Sequence, residues 1–144
     1  MIKKINLAKI TPGLEWDNLG RINLIIGEDG SEKSMILDLL GKVSPDLVLI
    51  DNFGAFIHPI QISKTLDDIY SRSCKERLQF FLTTNSYCVI KKLYLISQEH
   101  NISIPILHKE DGVWFYDDLL DGMPENSLVN ASIDLYRQEL ELML

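Results

Sequence analysis

The run RINLIIG at residues 21–27 is apolar almost throughout and ends on a glycine. Polar residues do not alternate with apolar ones, so neither face of such a strand suits water. Strands of this kind belong to parallel sheets covered on both faces. DLVLIDN and LQFFLTTN have the same form. The segments between them carry helical spacing. Met35, Ile36, Leu39 and Leu40 share one face, with Gly41 as the expected stop. Ile62, Leu66, Ile69 and Tyr70 share a second face, and Val89, Ile90, Leu93 and Ile96 a third, with Ser86 placed as its N-cap. Strands alternating with helices predict an α/β fold with a mainly parallel sheet.

The remaining segments add detail to that class. KKINLAKI predicts a short early strand, and SIPILHKEDGVWFYD predicts two strands around a turn at Asp111-Gly112. Val129, Ile133, Tyr136, Leu140 and Met143 recur by four and three, which predicts a docked terminal helix. A length of 144 residues favours one domain, residues 1–144, around one core. A formal charge of −7 argues against direct nucleic-acid binding, which calls for a basic patch. Cys74 and Cys88 lack metal-ligand spacing and are expected as reduced thiols. No apolar run is long enough to span a membrane, and the opening residues lack the apolar core of a signal peptide, so the expected location is the cytoplasm. His58-Pro59 is expected to redirect the chain into a helix. His100 and His108 are expected at the surface, Trp16, Trp114 and Phe115 in packing, and DDLLDGMPE as a solvated loop.

The turn after the first apolar run carries the chemistry. Its order is Gly27, Glu28, Asp29, Gly30, Ser31, Glu32, Lys33, Ser34. Phosphate loops of the form G-x-x-x-x-G-K-[ST] use backbone N–H groups at a helix start to cradle phosphate. Lysine reaches the β- and γ-phosphates, and the hydroxyl sits on magnesium. Gly27, Lys33 and Ser34 match, and Glu32 stands where the pattern has glycine. LVLI then ends in Asp51, placed as a Walker B aspartate would be to order magnesium. His58-Pro59 follows, and FFLTTNS ends a strand on Thr83, Thr84, Asn85 and Ser86.

From about Ile22 to Asn85 the chain resembles the ATP-binding head of the ABC-type, AAA-labelled ATPases, in the branch of the overcoming-lysogenization-defect, RecF and SMC-like proteins. The family reads INLIIGENGSGKS, LLIDEPEAGLHP and VFVTTHS; this chain reads INLIIGEDGSEKS, VLIDNFGAFIHP and FFLTTNS. The resemblance implies a P-loop NTPase-like three-layer sandwich. It implies that Gly27, Gly30, Ser31, Lys33 and Ser34 hold ATP, and that Ser34 and Asp51 hold Mg2+.

The departures fall on the chemistry. Asn52 stands where the family has the glutamate that polarises water, and Asn85 where it has a histidine on the γ-phosphate. Neither is expected to act in catalysis. Only GKVSP separates the loop helix from the next strand, so the helical subdomain and its signature sequence have no place there. Glu32 brings a carboxylate toward phosphate, and two like charges ~4 Å apart at an effective dielectric near 20 repel by about 4 kcal/mol. The expectation is an ATP-binding protein with weak or no hydrolysis. The competing expectation is a non-enzymatic pseudo-ATPase module that docks on a partner protein. A sheet whose site was rebuilt for another ligand ranks last, since no catalytic triad or metal cluster accompanies it.

Overall fold

The computed structural model describes residues 1–27, 30–55 and 57–144, with backbone alone at 30 and 31. Strand β3 (Ile22–Ile26) is buried at every position. It lies between β5 (Gln79–Thr84) and β6 (Pro105–Glu110), parallel to both. Strand β4 (Leu47–Ile50) pairs with β5 in parallel, and β7 (Val113–Asp118) pairs with β6 antiparallel. The sheet order is therefore β4-β5-β3-β6-β7. A small ribbon, β1 (Ile5–Asn6) with β2 (Glu15–Trp16), lies outside it. The expected early strand is thus only two residues long.

Helices flank both faces of the sheet. Helix α1 (Gly30–Val43) sends Ile36, Leu37 and Leu40 against Ile25, Phe81 and Trp16. On the other face, α2 (Pro59–Lys75) and α3 (Tyr87–His100) pack Leu66, Ile69, Val89 and Leu93 against Leu24, Phe80 and Leu82. The fold is α/β, with a mainly parallel five-stranded sheet. Asn23 is the polar exception inside β3. Its side chain donates to the carbonyls of Gly20 (2.8 Å) and Phe80 (3.2 Å) and accepts from Gly20 N–H, so burial leaves nothing unsatisfied.

Several elements differ from expectation. Helix α1 runs through Gly41 instead of stopping there. A Cβ at this position would lie 3.4 Å from Leu49 Cδ1, so the glycine lets the helix approach β4 closely. Strand β4 is half-buried because it forms the sheet edge. His108 is buried: its Nε2 lies 2.6 Å from Asp117 Oδ2, and Asn126 Nδ2 lies 3.3 Å from its Nδ1. Phe115 stacks on that imidazole yet stays half-exposed, so it is no core residue. The acidic stretch is only partly a solvated loop, since Leu119 is buried in a 3-10 turn and Asp118 accepts from Leu120 N–H. Helix α4 (Ser127–Met143) is docked only at its start. Val129 is buried, but Tyr136, Leu140 and Met143 are exposed.

Other expectations hold. His58 caps α2, its Nδ1 accepting from Ile60 N–H at 3.2 Å, with Pro59 opening the helix. Trp16 and Trp114 are buried, and both cysteines are free thiols. Asp111 and Gly112 take the positive φ of a two-residue hairpin turn, 49° and 77°. Among the described residues, no helix is long and apolar enough to cross a membrane.

Candidate functional site

Three parallel strands end at one edge of the sheet, and the polar residues following them converge there. Gly27 follows β3, Asp51 follows β4, and Asn85 follows β5. Lys33 and Ser34 sit in the first turns of α1. The Lys33 ammonium is buried; it donates to Gly27 O at 2.8 Å and to Asn85 Oδ1 at 2.6 Å. Ser34 Oγ donates to Asp51 Oδ2 at 2.8 Å. Thr83 Oγ1 donates to the other carboxylate oxygen, Asp51 Oδ1, and accepts the Asn52 N–H at 2.7 Å.

These contacts fix the Asp51 charge. Burial pushes its carboxyl up, but the hydrogen bonds from Thr83, Ser34 and the Asn52 backbone and the nearby Lys33 charge outweigh it. The carboxyl is held below its ordinary 3.8. A carboxyl depressed in the folded chain contributes stability above its unfolded value, and that contribution is lost as pH falls through the folded value. Asp51→Asn is therefore expected to flatten the loss of stability below pH 3.8 relative to the parent. Urea denaturation at a series of acidic pH values measures it; identical pH slopes would refute the assignment.

Sequence reasoning foresaw Gly27, Lys33, Ser34 and Asp51 as one site, and the structure brings them together. Gly30 opens α1; Glu28, Asp29 and the Ser31 side chain lie outside the described residues. Asn85 turns onto Lys33. Asn52 adopts the left-handed conformation (φ 53°) in an exposed turn, which asparagine tolerates better than most residues. Glu32 neither pairs with Lys33 nor stands alone, because its carboxylate lies 2.6 Å from Lys109 Nζ on β6. Lys109 is the residue absent from the sequence expectation, and Thr83, expected only as part of the polar strand end, gains a role as the donor to Asp51. Lys109 carries no sequence signal, since it joins the site only through the order β3-β6.

The donor set fits a hydrated magnesium ion. A hydroxyl and a carboxylate sit side by side, and magnesium keeps several waters and takes its remaining oxygens from phosphate. Among the described residues there is no group of three or more His, Cys, Asp and Glu that could hold a metal unaided. No protein-family model, curated protein or solved structure matches this chain. The class established is a mainly parallel α/β sheet with helices on both faces and a lysine–serine–aspartate cluster at its strand ends.

Proposed function

We propose that this chain binds a nucleoside triphosphate with magnesium at the cluster of Gly27, Lys33, Ser34 and Asp51 and hydrolyses it weakly or not at all. The observation that carries the reading is the 2.8 Å bond between Ser34 and Asp51, which joins two motif residues from separate elements beside the Lys33 ammonium. Lys33 would exchange its Asn85 contact for a phosphate oxygen. Ser34 and Asp51 would hold the cation, which when bound offsets the phosphate charge. Asn52 offers no carboxylate to accept a proton from water. Glu32, paired with Lys109, meets phosphate as half of a neutral pair. The repulsion expected of a lone carboxylate is therefore largely offset, and Glu32→Gly is expected to raise ATP affinity by much less than the unpaired charge would suggest. Calorimetry on both proteins measures the difference.

The test of the reading is whether ATP with magnesium raises the melting temperature, as ligand binding to the native state must. Phosphate release by the purified chain should be slow or absent. Robust turnover that vanishes in Lys33→Met would overturn the assignment of weak or absent hydrolysis. The second reading, a non-enzymatic docking module, is favoured by one observation: Lys33 is already satisfied by two protein oxygens. An unchanged melting temperature would transfer the conclusion to it.

A further inference from the structure

The head of α4 is held by one side-chain amide whose two ends cannot be exchanged. Asn126 Oδ1 accepts from Leu128 N–H at 3.0 Å, which caps the helix. Asn126 Nδ2 donates to Lys109 O on β6 at 3.2 Å and lies 3.3 Å from His108 Nδ1. The two backbone partners have fixed polarity, an N–H on one side and a carbonyl on the other, so they orient the amide. The Nδ2 group therefore meets His108 as a donor, and His108 Nδ1 offers a lone pair. The imidazole proton sits on Nε2 and is donated to Asp117 Oδ2 at 2.6 Å. With α4 seated, the imidazole is neutral.

A second proton, on Nδ1, would point at an N–H donor. Turning the amide over sets its NH2 against Leu128 N–H and its oxygen against Lys109 O. Asn126 can thus serve a charged imidazole only by leaving the cap. His108 and Asn126 are both buried, so solvent cannot relieve the conflict while the helix stays seated. Around the imidazole stand Asp117 and Phe115 from β7, Glu110 from its own strand, Ile26 from β3 and Asn126 from the head of α4. The two carboxylates belong to the sheet and favour the proton whether or not α4 is seated. The difference between the two states comes from Asn126.

We propose that His108 is a proton-operated latch: a proton on Nδ1 unseats the head of α4 and bares the apolar seat of Val129 on the α2/α3 face of the core. The attachment is slight enough for one proton to move it. Val129 is the buried anchor of α4, and Tyr136, Leu140 and Met143 are exposed. Imidazoles ordinarily take up their proton near about pH 6.5. The seated form excludes that proton, so seating is fully favoured above this range and weakens as pH falls below it. The other tie is Glu110, which accepts from Ser127 N–H and Oγ–H. Those bonds hold its carboxyl below the ordinary 4.5, so it stays ionised while the latch titrates.

Hydrogen exchange at about pH 7.5 and about pH 5.5 tests the latch. Corrected for the intrinsic pH dependence, exchange of the amides of residues 128–133 should be roughly tenfold faster in acid, the linkage limit for one proton over that range. Amides of β3 should keep their protection. Asn126→Asp should reverse the sign. One carboxylate oxygen keeps the Leu128 cap and the other accepts from the protonated imidazole, but at neutral pH it faces Lys109 O and a lone pair. His108→Gln removes the titrating group and should make α4 exchange the same at both pH values. Circular dichroism checks that both variants fold. Parent α4 amides that ignore pH overturn the proposal. So does an Asn126→Asp chain that follows the parent, or a His108→Gln chain that keeps the parent's response, which would assign that response to the carboxylates.

Discussion

On the proposed function ATP with magnesium should raise the melting temperature of the parent chain, and Lys33→Met is expected to abolish that rise. At a ligand concentration of 100 times Kd, mass action stabilises the native state by about 2.7 kcal/mol. For a domain of this size each kcal/mol corresponds to roughly 2–4 °C, so the parent shift should reach about 5–10 °C. Methionine keeps the length and apolar stem of lysine but removes all three N–H donors. It also leaves Gly27 O and Asn85 Oδ1 without the ammonium they accept from, which costs about 1–3 kcal/mol where such groups stay buried. The variant therefore melts lower before any ligand is added, and the comparison must be between ligand-induced shifts. A full shift retained in Lys33→Met would place the nucleotide elsewhere or make its binding independent of the turn. A shift absent from both proteins would instead favour the docking-module reading.

The legible parts of this chain are those in which local sequence carries the physics. β3 and β5 announce themselves because both faces are buried, so their residues are apolar without alternation. The cluster of Lys33, Ser34 and Asp51 is legible because each belongs to a local pattern, the Gly27–Ser34 order after one apolar run and the apolar run that ends in Asp51. Pairings set by sheet order are not legible. Glu32 and Lys109 are 77 residues apart and meet because β6 lies next to β3. His108 looked like a lone surface histidine because its partners come from the opposite hairpin strand and the α4 cap. Gly41 reads as a helix stop in sequence, yet the space it saves is taken by Leu49. Spacing by four and three predicted an apolar stripe on α4 correctly. Periodicity says that a face is apolar and says nothing about what covers it.

Phe81→Ala is expected to destabilise the chain by about 3–5 kcal/mol, a large share of the roughly 5–15 kcal/mol typical of a domain. Phe81 is fully buried on the α1 face of β5 and meets Trp16 edge-on at 6.1 Å between ring centroids. Truncation loses the transfer energy of the ring, leaves a cavity beneath α1 and removes the aromatic pair. Strand β5 is hydrogen-bonded on both sides and cannot shift to fill the space. The urea midpoint should fall while the slope m stays unchanged, because the surface exposed on unfolding is nearly the same. Leu142→Ala, on the exposed end of α4, should change stability by no more than about 0.5 kcal/mol. Phe81 also bears on the site, since it lies under the helix that carries Lys33 and Ser34. A loosened α1 should therefore weaken the response to ATP and magnesium even at temperatures where the variant is still folded. Loss of stability with a full ligand response would mean that the strand-end hydrogen bonds, Ser34 to Asp51 and Lys33 to Gly27, hold the site in register without help from the packing beneath it.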